Sequence, residues 1–76
     1  MNTSRQNQIK KFLDINKVSN ICSLGKSTVL LWESQGRFPK AVRLSKTKRV
    51  WLESDIDNWV LKMHLASQAF EENNNG

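Results

Sequence analysis

Apolar positions recur along this chain in three rhythms, and each rhythm predicts a different element. Phe12-Leu13-Asp14-Ile15 reads as a short extended lead-in. After it, Asn16 is a candidate helix cap, and Val18, Ile21 and Cys22 fall at i, i+3 and i+4. That spacing predicts a short helix with one buried stripe, ending near Ser23-Leu24. Gly25 permits a tight turn, and either Gly25 or Ser27 can cap a second helix in which Val29 and Trp32 face inward. This helix is predicted to run to about Gln35, with Gly36 as its stop and Pro39 barring continuation.

The rhythm then changes. Ala41-Val42-Arg43-Leu44 and Arg49-Val50-Trp51-Leu52 alternate, with Ser45-Lys46-Thr47-Lys48 between them. Alternation on both sides of a polar tetrapeptide predicts a β-hairpin, although the register that puts Val42, Leu44, Val50 and Leu52 on one face is left open by the pattern. Ser54-Asp55-Ile56-Asp57 next opens a third helix, with Ser54 placed to cap it and early carboxylates suited to its positive end. Ile56, Trp59, Val60, Met63 and Phe70 carry that helical stripe for about four turns. The order helix, turn, helix, hairpin, helix predicts a winged helix-turn-helix, mainly α with a small β-hairpin. Its expected extent is 12–70, between a flexible N-terminal arm at 1–11 and a disordered polar tail at 71–76.

Charge sharpens the picture. The net charge is +5, yet residues 1–52 hold eleven Lys/Arg against Asp14 and Glu33, a balance of +9, whereas residues 53–76 sum to −4. Between Arg37 and Arg49 lie six basic residues (Arg37, Lys40, Arg43, Lys46, Lys48 and Arg49) and no acidic one. A positive ribbon attached to a helix-turn-helix fits a polyanionic backbone, and duplex DNA is the expected partner. Neutralising about five phosphates would give a log–log salt slope near −4 to −5.

Composition narrows the alternatives. Seventy-six residues make one small domain, in which three Trp and three Phe supply most of the core. One Cys forms no internal disulfide, the first residues lack the apolar core of a signal peptide, and no run is long enough to span a bilayer. The expectation is a cytoplasmic, nucleoid-associated protein, with no membrane partner and no cofactor. Leu24-Gly25-Lys26-Ser27-Thr28 looks superficially like a phosphate-binding loop, but Asn20 stands where that motif needs its first glycine. His64 and Cys22 assemble no metal or catalytic constellation, so no enzyme is expected.

The residues Val18, Ile21, Ser27-Thr28-Val29, Trp32 to Lys40, Arg43-Leu44, Arg49-Val50-Trp51 and Ser54-Asp55-Ile56-Asp57-Asn58-Trp59-Val60 together resemble the AlpA family. These are small phage- and prophage-encoded DNA-binding regulators whose fold is similar to that of phage excisionases and the DNA-binding end of MerR regulators. The resemblance covers roughly residues 12–62. Gly-Arg-Phe-Pro followed by Val-Trp and Ser-Asp-Ile-Asp-x-Trp is its most specific part. The family often has Gly where this chain has Ser23, Ser where it has Gly25, and Tyr-Arg in place of Leu30-Leu31. The resemblance implies a second helix in the major groove, a wing on the backbone or minor groove, and activation of an integrase gene or service as an excisionase.

The candidate DNA contacts fall in two groups. Lys26, Ser27, Thr28 and Leu31 belong to the recognition helix, whose N-terminal residues reach base edges in helix-turn-helix proteins. Thr28 also suits a packing role against the first helix, and either Leu30 or Leu31 can meet a thymine methyl, core or another protein. Arg37, Lys40, Arg43, Lys46, Lys48 and Arg49 belong to the turn and wing, and Lys10 and Lys11 would extend the footprint. Trp32, Trp51 and Trp59 sit in helical or alternating patterns and are read as core, with Phe38 plugging the helix–wing junction. So small a footprint predicts cooperative self-association on DNA, or partnership with an integrase or RNA polymerase. The rival reading is a protein-interaction module, such as a small antirepressor using the Leu30/Leu31 face.

Overall fold

A computed structural model describes residues 11–75 of the chain, with side-chain environments to Ala69. The expected arm at 1–11 therefore lies outside the described residues except for Lys11. Within them, the order is β1 (Phe12–Leu13), α1 (Ile15–Cys22), α2 (Lys26–Ser34), β2 (Val42–Arg43), β3 (Arg49–Leu52) and α3 (Glu53–Asn75). This is a winged helix-turn-helix, mainly α with a small hairpin.

Asp14 starts α1. Its backbone is extended (φ −85°, ψ 176°) and its carboxylate accepts from the Lys17 amide at 2.9 Å, so the helix begins at Ile15 and Asn16 lies in the first turn instead of capping it. An anionic side chain at the positive helix end outcompetes the neutral amide two residues on. Val18 is fully buried and Cys22 half-buried, but Ile21 is 45% exposed and falls off the predicted stripe. The helix closes on Ser23 in the left-handed region at φ 55°, with Ser23 N–H donating to Asn20 O and Leu24 N–H to Ser19 O.

The second helix ends with the same hydrogen-bond pattern. Gly36 N–H donates to Glu33 O at 3.1 Å and Arg37 N–H to Trp32 O at 2.8 Å, with Gly36 at φ 77°. This is the Schellman arrangement, in which a left-handed residue satisfies the last carbonyls. Gly36 is thus the predicted stop, and α1 has Ser23 in the equivalent place. Gly25 is the cap of α2, in extended conformation and without a side-chain bond, so Ser27 lies inside the helix.

The hairpin pairs Val42 with Val50 and Arg43 with Arg49, a register that leaves Leu44 in the exposed tip. The lead-in turns out to be a strand. Phe12 pairs with Leu52 and Leu13 with Trp51, which makes a three-stranded antiparallel sheet in the order β1-β3-β2. Only Phe12–Leu13 takes part, since Ile15 is already helical.

The sheet runs straight into α3. Glu53 N–H donates to Lys11 O at 2.8 Å, and the helix begins at Glu53, one residue before the Ser54 cap expected from the sequence. A bond to the neighbouring strand already satisfies the first free amide, which removes the need for that cap. Ile56 is fully buried and Trp59 half-buried, but Val60 and Met63 are exposed, so the stripe fades after two turns. The helix backbone continues to Asn75, into the segment where a tail at 71–76 was expected.

Leu13, Val18, Val29, Phe38, Trp51 and Ile56 form the core, with Trp32 and Trp59 packed against it. Phe38 meets Trp51 edge-on at 6.4 Å between ring centres and Trp59 at 4.8 Å. These tilted and edge-on geometries are the favourable ones for aromatic rings. Trp32, Phe38, Trp51 and Trp59 are therefore structural, and Phe38 plugs the junction as expected.

Candidate nucleic-acid interface

The recognition helix shows two faces. Val29 is buried and Thr28, Trp32 and Glu33 half-buried, whereas Lys26, Ser27, Leu30, Leu31 and Ser34 are exposed. At 100° per residue these five share one side of the helix. The structure therefore brings Lys26, Ser27 and Leu31 together on an outward stripe. It turns Thr28 partly inward, where its packing role takes precedence.

The wing tip holds itself together. Leu44 N–H donates to Lys48 O at 2.9 Å, while Ser45 Oγ accepts from Thr47 N–H at 3.3 Å and Lys48 N–H at 3.1 Å. Serine here closes the turn by bonding to backbone two and three residues on. With the backbone satisfied locally, Arg43, Lys46 and Lys48 project into solvent, and Arg49 is half-buried beside them. An Arg43 guanidinium N–H reaches Lys46 O at 3.5 Å, a contact too long to restrain it much.

These four cations line a groove with Leu30 of α2 and Asp14, Ile15 and Asn16 at the start of α1. The apolar part of the recognition helix and the positive wing thus border one concave surface. Asn16, read from sequence as a cap, is exposed on its rim and is a polar group free to face a ligand. Only the cap position of Asp14 could have signalled this. Had Asp14 been recognised as the cap, Asn16 would have been left with no local task.

Arg37 and Lys40 lie elsewhere. They border a second cleft with Phe38, Pro39, Asp55, Asn58, Trp59, Lys62 and Met63, against α3. The Arg37 guanidinium carbon sits 4.5 Å from the centre of the Trp32 ring, and one of its nitrogens donates to Gln35 Oε1 at 3.2 Å. Stacking on an indole places this cation in a packing role at the helix end. Lys62 adds a third positive side chain to the cleft, one the sequence reading passed over because the helical pattern gave it no neighbour.

Between groove and cleft, the turn is fixed by indole N–H groups. Trp51 Nε1 donates to Pro39 O at 2.9 Å and Trp59 Nε1 to Arg37 O at 3.2 Å. Glu33 Oε2 accepts from Ala41 N–H at 2.8 Å, so the carboxylate of α2 ties down the start of the wing. The angle between recognition helix and wing thus rests on three side-chain-to-backbone bonds.

Other chemistry is sparse. Partial burial pushes the Cys22 thiol above its ordinary pKa, the opposite of the shift that activates a thiol nucleophile. Among the described residues no group of three or more His, Cys, Asp or Glu side chains could hold a metal ion, and no helix is long and apolar enough to cross a membrane.

Comparison with known proteins places the chain in a family. Residues 11–64 match the family model described as prophage CP4-57 regulatory protein (AlpA). The chain is also 31% identical over 51 residues to the uncharacterized protein ORF88 of Enterobacteria phage P4, an alignment covering 67% of this chain. It spans 58% of that relative's length. No solved structure matches. The chain belongs to the AlpA family of phage regulatory proteins.

Proposed function

We propose that this protein binds duplex DNA sequence-specifically and regulates a prophage or other mobile element, without catalysing a reaction. The observation that carries the reading is the groove in which Arg43, Lys46, Lys48 and Arg49 stand beside the exposed stripe of α2. A helix of suitable width for the major groove, flanked by cations on a hairpin, supplies base contacts and phosphate contacts from one surface. Lys26 and Ser27 contact base edges, and the wing contacts phosphates. Arg37 and Lys40 contribute at the margin.

Family membership supports a regulatory role, realised by activating an integrase gene or by directing excision. The footprint of one copy is small, so several copies bind cooperatively or act with an integrase or RNA polymerase. Salt titration of binding to random and operator duplexes tests the reading. A log–log slope near −4 to −5 is expected. Absent or salt-insensitive binding would sink it. Footprinting on the attachment site and the integrase promoter then separates the two roles.

One observation favours a second reading. Leu30 and Leu31 are 37% and 53% exposed on adjacent positions, an apolar pair that a protein partner would cover. An antirepressor of that kind would keep its partner when the wing lysines are removed.

A further inference from the structure

The outward stripe of α2 has an unusual chemical makeup for a reader of bases. Its five side chains are Lys26, Ser27, Leu30, Leu31 and Ser34; only Lys26, in the first turn, can bridge guanine O6 and N7, and none is the Arg, Asn or Gln that otherwise pairs bidentately with a purine. Ser34 is already engaged, since its hydroxyl donates to Leu31 O at 2.7 Å. Gln35 lies at the helix end with its carbonyl accepting from Arg37. Polar readout is thus confined to Lys26 and Ser27 in the first turn, and the middle of the stripe is purely aliphatic.

One group in the major groove matches an aliphatic surface, the C5-methyl of thymine. Leu30 also borders the groove formed by Arg43, Lys46, Lys48 and Arg49. Phosphates bound by those cations would bring the duplex edge onto this leucine, where an exocyclic amino group or a carbonyl oxygen of the bases would find no partner. Cytosine N4 and guanine O6 opposite the leucines would lose hydration without compensation, so apolar contact selects for thymine and against G·C pairs together.

We propose that Leu30 and Leu31 are specificity-determining residues that read thymine methyl groups, giving the protein an operator with thymines at the centre of each site. This rests on the DNA-binding reading above. It also gives a reason for preferring DNA, because RNA lacks the methyl and its narrow major groove excludes the helix.

The test starts from duplexes selected by the wild-type protein out of a randomised pool. Enriched thymines are then replaced one at a time by deoxyuridine, which removes only the methyl. Each replacement at a contacted position is expected to weaken binding about fourfold, the worth of one buried methyl-sized group, with the salt slope unchanged. Leu30→Ala and Leu31→Ala should each bind the dT and dU duplexes equally well at one position; Leu31, 53% exposed, should keep a near-wild-type Tm, whereas Leu30, 37% exposed, should lose a few degrees and stay folded. An enriched sequence without thymine, or wild-type binding indifferent to the methyl, would overturn the role of the leucines while salt-dependent binding left the DNA reading standing. A wild-type protein that binds no duplex at all would remove both.

Discussion

The two ends of the hairpin are built on opposite plans. At its base, Gly36 to Ala41 is clamped by two indole N–H groups, the Glu33 carboxylate and the packing of Phe38, and both indoles come from residues distant in sequence. At its tip, Leu44 to Lys48 is held only by its own backbone and by Ser45, and every side chain is exposed. The base has one geometry, which sets the angle between α2 and the wing. The tip keeps free side chains, which can follow a phosphate backbone of varying shape. Rigidity and charge are placed at different ends of one element.

The sharpest way to break this contrast is Trp51→Ala. Trp51 is fully buried and its N–H holds Pro39, so the substitution combines a large cavity with an unsatisfied carbonyl. A cost of about 3–5 kcal/mol is expected, enough to abolish the cooperative thermal transition of so small a domain. At the tip, replacing Lys46, Lys48 and Arg49 together by Ala should leave Tm within a few degrees and reduce the salt slope of DNA binding by about 2 to 3, equally for all sequences. A large drop in Tm would show that the tip is as structural as the base.

Finer tests separate backbone from packing. Gly36→Ala meets no atom within 4 Å but must adopt φ 77°, so its cost of about 1–2 kcal/mol is purely conformational, measured by chemical denaturation. Gly25→Ala, also in open space but at φ −65°, should change stability far less. Smallest of all, Ser23→Gly is expected to raise stability by about 0.5–1 kcal/mol, because α1 ends in the Gly36 pattern with a residue that carries a Cβ.

The contrast also explains what could be read from the sequence. The number and order of the helices, Gly36 as a stop, the hairpin and the fold class follow from local spacing, and spacing survives folding unchanged. Apart from the local contest in which Asp14 takes the α1 cap from Asn16, the differences concern neighbours that are far away in the chain. Ser54 looked like a cap because the bond from Glu53 to Lys11 joins segments about forty residues apart. Met63 continued a stripe that had nothing left to pack on. For the candidate interface, the cations were evident from charge alone, but their division between a wing groove and an α3 cleft was not. That division depends on Arg37 stacking on Trp32 and on Lys62 arriving from α3, both matters of tertiary placement.

The pairing of β1 with β3 has a consequence for how the molecule comes apart. Two residues, Phe12 and Leu13, close a loop of about forty residues by lying against Leu52 and Trp51. Closing such a loop costs about 3 kcal/mol in chain entropy, a large share of a small domain's net stability. Both helices of the helix-turn-helix and most of the wing lie inside that loop, and Trp51 of β3 shares one core cluster with Val18 of α1 and Val29 of α2. Opening the ring therefore loosens α2 and the hairpin together, and any ligand that bridges them adds its binding free energy to the closure of the ring.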